Sequence, residues 1–192
     1  MGAGDERQKV SRAVFLDYLD SIQGKAEYLN GEIYDMAGGS PSHSLIGLNI
    51  GSEIRGALEG TECIAFNGDL CFQIESDGSI VFPDASVICG EIETTPDRKD
   101  IATNPTLIVE VLSPGNMKWD RGGKLLKYWT IPSLKEYVII EQSHPQVDVY
   151  TRSPGDEWYF TSYQSLEDTV ALHSIHIKVP MRGIYRNVKF EL

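Results

Sequence analysis

The sequence predicts an α/β fold: a mixed β-sheet flanked by helices, preceded by a hairpin and followed by a β-rich extension. Three observations predict it. Helix-period and strand-period apolar patterns alternate along the chain. Residues 106–112 form a nearly continuous run of apolar and β-branched side chains, as in a strand buried on both faces. Asn30-Gly31 sits between two short strand-like segments as a hairpin turn.

The elements follow in order. Residues 1–10 are polar and read as a frayed tail, leaving 11–192 as one domain. Ser11 caps a helix that sets Val14, Phe15, Tyr18 and Leu19 on one face and stops at Gly24. The hairpin spans 25–36. Ser40 and Pro41 are cap and first residue of a second helix, with Leu45, Ile46, Leu48, Ile50, Ile54 and Leu58 as its apolar positions. Strands are expected at 62–66, 70–75 and 80–88, divided by Asn67-Gly68-Asp69 and Ser76-Asp77-Gly78 turns. A charged connection over 90–104 leads into the 106–112 strand. A helix opening at Asp120 runs to about Thr130. Strands follow at 136–140, Val147–Arg152, Trp158–Tyr163 and 175–179, and a last helix starts at Pro180.

Composition narrows the function classes. The chain has 192 residues, 41% of them hydrophobic, enough for one real core. No apolar run reaches the 18 or so residues of a membrane span, and Met1–Glu6 carries no secretory apolar region, so the expectation is a cytoplasmic protein. Cys63, Cys71 and Cys89 show no CxxC spacing, which argues against a disulfide framework and against structural zinc; each reads as a small core residue. Seventeen Lys and Arg against 28 Asp and Glu give a net charge of −11. Affinity for nucleic acid comes from cations at phosphates. An acidic chain that handles it needs a local basic patch or metal ions, and Lys118 and Arg121 are the nearest candidates for the patch.

Two carboxylates stand in costly places. Asp84 follows Phe82-Pro83 inside an apolar strand, and Glu110 lies near the end of the most hydrophobic strand. A lone ionised carboxylate there is expensive to desolvate, and two on neighbouring strands repel. A hard divalent cation answers both costs, since Mg²⁺ takes oxygen ligands and needs only one or two carboxylates. Otherwise Asp84 is a turn cap and Glu110 a paired surface acid. Lys124, one turn into the next helix and on the same face as Tyr128, can be aimed back at Glu110. Asp120 reads as an N-cap. His43 begins a helix, where it can meet a phosphate beside free backbone N–H groups. No nucleophile elbow, Walker loop or Rossmann fingerprint is present.

Pro83-Asp84, Glu110 and the order of elements around them resemble the PD-(D/E)XK nuclease superfamily. More closely, the chain is similar to the Uma-two family, grouped with restriction endonucleases, over roughly residues 15–190. The segments that carry the resemblance are Glu27-Tyr28-Leu29-Asn30-Gly31-Glu32, Ser42-His43, Pro83-Asp84, Pro105 through Pro114, Asp120 to Tyr128, and Pro132-Ser133-Leu134-Lys135-Glu136-Tyr137. The resemblance implies a restriction-endonuclease-like core of order αβββαβ. It also implies a Mg²⁺- or Mn²⁺-dependent endonuclease hydrolysing phosphodiester bonds, with DNA ahead of RNA as substrate, and a homodimer.

Asp84 and Glu110 would hold the metal, joined by the Val111 backbone carbonyl, and Lys124 would be the catalytic cation. The superfamily's usual lysine position holds Leu112 here, and Lys124 fits a role migrated to the following helix, with Lys127 the weaker choice. An additional acid is expected from the N-terminal region, Glu27 ahead of Glu32 and Glu53. The acidic balance and Leu112 support a second reading, a catalytically inactive regulatory or interaction module on the same fold.

Overall fold

The computed structural model describes residues 9–36, 38–113 and 119–190; the side chains of Trp119, Asp120 and Arg121 are also outside the description. Helix α1 (Arg12–Ser21) starts where Ser11 accepts from the Val14 N–H, and it stops at Ile22, ahead of the expected Gly24. Strands β1 (Ala26–Leu29) and β2 (Glu32–Asp35) form the hairpin, with Asn30 and Gly31 both at positive φ as its turn requires. Val10 docks on that turn through its N–H to the Gly31 carbonyl. Helix α2 (Pro41–Ala57) has Ser40 as cap and Pro41 at its first turn.

The middle of the chain departs from the expected pattern at one place. The run 80–88 is two strands, β5 (Ser79–Val81) and β6 (Ala85–Cys89), which belong to different sheets. Pro83 has no N–H to continue a ladder, so the chain leaves one sheet at Phe82 and enters the other after Asp84. The remaining strands are β3 (Cys63–Asn67), β4 (Cys71–Ile74), β7 (Ile101–Ala102), β8 (Leu107–Leu112), β9 (Glu136–Glu141), β10 (Val147–Arg152), β11 (Trp158–Tyr163), β12 (Thr169–Leu172) and β13 (Ile177–Pro180). Strand β7 lies within the charged connection, and β12 completes a C-terminal hairpin with β13 that the sequence pattern did not reveal.

A five-stranded sheet runs β2-β1-β5-β4-β7, and a six-stranded sheet runs β11-β10-β9-β8-β6-β3. Both mix parallel and antiparallel neighbours: β8 pairs β9 in parallel and β6 antiparallel. Side-chain alternation on β8 sorts the layers. Leu107, Val109 and Val111 join Ile46, Ile50 and Ile54 of α2 in one core. Ile108 and Leu112 face the other way, into a core shared with α3 (Leu125–Tyr128) and with Phe72 and Ile74 of the five-stranded sheet. Phe15 of α1 packs on the far side of that sheet with Tyr28, Ile80 and Ile101. No helix among the described residues is long and apolar enough to cross a membrane.

Two expectations are corrected. Cys63 and Cys89 are bonded to each other, because antiparallel β3 and β6 set them directly opposite across the ladder. Only Cys71 matches the expected buried thiol, and burial, with Asp100 nearby, pushes it up to about 12. The helix after β8 is shorter than expected and begins differently: Trp119–Lys124 is π-helical, and α3 covers only Leu125–Tyr128 before the short α4 (Met181–Ile184) much later in the chain.

The C-terminal extension is tied down by one buried acid. Glu136 is fully buried and accepts from Thr151 Oγ (3.0 Å), the His173 N–H (2.8 Å), the Ser174 N–H (3.0 Å) and Ser174 Oγ (2.6 Å). Glu136→Ala orphans those donors, and we expect a loss of about 2 kcal/mol. It would be read as a lower urea midpoint at unchanged slope; an unchanged midpoint would show that the cap adds nothing.

Candidate active site

Asp84 stands at the seam between the two sheets. Its Oδ2 accepts the Val111 N–H at 2.7 Å, which ties the β5–β6 link to the end of β8. The β6–β8 register pairs Ala85 with Val109, and one further step along the same register sets Asp84 opposite Glu110. His43, in the first turn of α2, brings Nε2 to 3.4 Å from Asp84 Oδ2. Both side chains are partly exposed, and both line a cleft of about 460 Å³.

Glu110 takes the place on β8 between Ile108 and Leu112, so its carboxylate points to the α3 face. Only 4% of it is exposed. Its Oε1 accepts from Lys124 Nζ at 3.0 Å and from the Tyr128 phenol at 2.7 Å. The same ammonium reaches Glu27 Oε1 at 2.9 Å, and that oxygen also accepts the Phe82 N–H at 3.1 Å. Glu27 is 6% and Lys124 4% exposed. A buried ion trio of this kind persists only with close geometry and further hydrogen bonds, both of which it has.

The helix after β8 delivers the cation. Lys124 closes the π-helical segment and Tyr128 lies four residues on, so both side chains meet one carboxylate. Single π turns recur at functional sites because they re-aim the residues that follow. Burial, and then the adjacent Glu110, raise the Tyr128 phenol well above its usual range, so it stays a donor. Arg152 secures the other end of α3, donating to the carbonyls of Trp129, Ile131 and Pro132.

The structure thus gathers Glu27, Glu110 and Lys124, with Asp84 and His43 adjoining through Val111 and the cleft. Of the three N-terminal acids, Glu27 is the one at the site. Glu32 accepts from Tyr34, and Glu53 faces Arg186. Lys127 does not join: its ammonium is held by Asn30 Oδ1 (2.8 Å), Ser79 Oγ (3.2 Å) and Asp77 Oδ2. It braces α3 against two turns of the five-stranded sheet. Lys118, and the side chains of Asp120 and Arg121, lie outside the described residues. The basic residues of the charged connection are committed elsewhere, Arg98 forking between Asp20 and Asp100. Tyr128 is the contributor that the sequence reading missed as a site residue. Its i, i+4 relation to Lys124 was the signal.

Three carboxylates (Glu27, Asp84, Glu110) against one ammonium (Lys124) leave a formal charge of −2 at the seam, in a donor set made of oxygen. That suits a hard divalent ion completed by water or phosphate. Among the described residues no three or more His, Cys, Asp or Glu side chains form a ready-made metal cluster.

With this geometry in view, comparison with known proteins defines first the class and then the family. A crystal structure described as a "putative nuclease belonging to DUF820" from Anabaena variabilis superposes with a TM-score of 0.71 at 18% identity, covering 88% of this chain and 96% of that one. The class is therefore that mixed α/β fold. The family model described as "Putative restriction endonuclease" matches residues 14–181, and the chain belongs to this family, Uma2. Two relatives from Synechocystis sp. (strain ATCC 27184 / PCC 6803 / Kazusa) bear the description "Uncharacterized protein". The first, slr1290, is 34% identical over 95% of this chain and 94% of its own length. The second, sll1609, is 30% identical over 79% and 86%.

Proposed function

We propose that this chain is a divalent-metal-dependent endonuclease that hydrolyses phosphodiester bonds of nucleic acid, DNA ahead of RNA. The observation that carries this reading is the Lys124 ammonium held between Glu27 and Glu110, one residue from the Val111 N–H that binds Asp84. Asp84 and Glu110, with the Val111 backbone carbonyl, would hold Mg²⁺ or Mn²⁺. The bound ion supplies an activated water and neutralises phosphate charge.

The chain's own groups do the rest. Lys124 carries a fixed positive charge beside the acids, placed to stabilise negative charge as it builds on the scissile phosphate. Glu27 holds that ammonium in position. The Tyr128 phenol fixes the Glu110 carboxylate in one orientation, the kind of outer support that ligand groups depend on. His43 faces the cleft beside Asp84 and can donate to a phosphate oxygen. Leu112, buried at 1% exposure, takes no part in the chemistry; the charge that the superfamily usually places there arrives from the π-helical segment.

The test is direct. Plasmid DNA and an RNA of similar length are incubated with the protein and Mg²⁺ or Mn²⁺, with EDTA as control. Cleavage that EDTA abolishes is expected, together with a higher melting temperature in Mn²⁺. An ion at 100 times its Kd stabilises the native state by about 2.7 kcal/mol. A protein inert on both polymers, with no melting shift, would favour the second reading instead. That reading, a non-catalytic module, has one observation on its side: the ammonium is already neutralised by two buried carboxylates.

A further inference from the structure

Asp84 has a neighbour whose chemistry bears on which ion the site takes. The segment Gly39-Ser40-Pro41-Ser42-His43 puts an imidazole beside it by local means. Ser40 Oγ accepts the His43 N–H at 3.1 Å, which fixes the backbone of that residue in the first turn of α2. Gly39, just ahead of the cap, lies against the ring. A Cβ added there would stand 2.7 Å from His43 Nδ1 and 3.0 Å from its Cγ, so the missing side chain is space that the imidazole uses. Seated in this way, the ring brings Nε2 to 3.4 Å from Asp84 Oδ2.

That distance is long for a hydrogen bond, whose usual range is about 2.7–3.2 Å. It is close to the spacing of two adjacent ligands on one ion, since bonds of roughly 2.1 Å at right angles set their donors about 3 Å apart. Both side chains are partly exposed and line the same cleft. Asp84 keeps capacity for an ion, because the Val111 N–H takes one position on a carboxylate that offers about four. The kind of donor matters as well. Mg²⁺ takes oxygen ligands. Imidazole nitrogen is a donor for first-row transition ions, of which Mn²⁺ is the one that also shares the oxygen donors of Mg²⁺.

We propose that His43 Nε2 is a ligand of the same ion that Asp84 holds, and that the site thereby selects a transition ion such as Mn²⁺ over Mg²⁺. The proposal deepens the nuclease reading and rests on it for what the ion does, while the binding itself does not depend on cleavage. An Nε2 bound to an ion keeps no proton for a phosphate oxygen. The two roles open to His43 therefore exclude each other, and ion binding separates them.

The experiment uses the full chain with no nucleic acid present. Isothermal titration is expected to show Mn²⁺ held at least about tenfold tighter than Mg²⁺. His43→Ala should lower the Mn²⁺ affinity by about tenfold or more and leave that for Mg²⁺ within about twofold, so that the preference disappears. The electron spin echo of the Mn²⁺-loaded protein should carry modulation from a bound imidazole nitrogen, and His43→Ala should remove it. A histidine that only contacts phosphate or only packs gives no such signal. Gly39→Ala is the second variant: it leaves both ligands in the chain but drives the ring from its seat, so it should weaken Mn²⁺ in the same sense.

An unchanged Mn²⁺ affinity in His43→Ala overturns the proposal, or in Gly39→Ala should the first variant not fold. A wild type that binds the two ions equally, or neither, overturns it too. The two readings fail separately. Metal-dependent cleavage with no nitrogen on the ion would leave the nuclease standing and sink this inference. Imidazole-bound Mn²⁺ with no cleavage of DNA or RNA would do the reverse.

Discussion

Lys124→Ala is expected to slow cleavage by about 10²- to 10³-fold and to lower the melting temperature by roughly 10 °C, measured without added metal. The stability argument is electrostatic. Glu27 and Glu110 are 6% and 4% exposed and share this one ammonium, at 2.9 and 3.0 Å. Removing it leaves buried carboxylates without their cation, and breaking a buried pair from one side costs about 3–5 kcal/mol. Hydrogen bonds from the Phe82 N–H and the Tyr128 phenol soften that cost but carry no full charge. The activity argument is separate: losing one preorganised stabiliser of transition-state charge reduces turnover by about 10²- to 10³-fold. Mn²⁺ should recover part of the lost stability, because a divalent ion can stand in for the missing charge, but it should not recover the rate. A variant that melts and cleaves like wild type would mean that the ammonium is not between the acids in solution.

How much of this could be read from the residues differs by feature. The caps at Ser11 and Ser40-Pro41, the Asn30-Gly31 turn and the doubly buried β8 were legible because each depends on chemistry within a few residues. The break at Phe82-Pro83-Asp84 was not. Its flanks are one apolar run, and only tertiary packing decides that β5 and β6 join different sheets. The Cys63–Cys89 bond was hidden for the same reason, since it follows from the β3–β6 register across 26 residues and not from any local spacing.

At the site, Lys124 could be singled out because the following helix had to start near the end of β8. The π-helical opening that aims it lies beyond pattern reading, since it is a departure from the 3.6-residue period on which such reading relies. Glu27 could be ranked ahead of Glu32 and Glu53 only by its place before the hairpin turn that the resemblance shares. What separates them is that β1 pairs with β5, which sets Glu27 within reach of the Phe82 N–H just where the chain changes sheets. The trio is a product of the seam, and no single segment contains it.

Asp84→Asn isolates the chemistry from the fold. The carboxylate is partly exposed, and its structural duty is to accept the Val111 N–H at 2.7 Å, which an amide oxygen can also do. The apo variant is therefore expected to melt within about 2 °C of wild type, a change of under about 1 kcal/mol. What the amide cannot supply is negative charge. With Asp84 neutral, the count at the seam falls from three carboxylates to two against the same ammonium, so the formal charge goes from −2 to −1. A divalent ion loses an anionic ligand and half of the charge that attracts it. The melting shift produced by Mn²⁺ should then shrink or vanish. Cleavage should drop by about 10²- to 10³-fold, the scale of losing one electrostatic contributor to the transition state. The combination is diagnostic, because a structural role would move the apo melting temperature and a catalytic one would not. If Asp84→Asn cleaved at the wild-type rate and kept its Mn²⁺ shift, the metal would have to sit away from the β6–β8 junction, and Asp84 would be only the acceptor that fastens Val111.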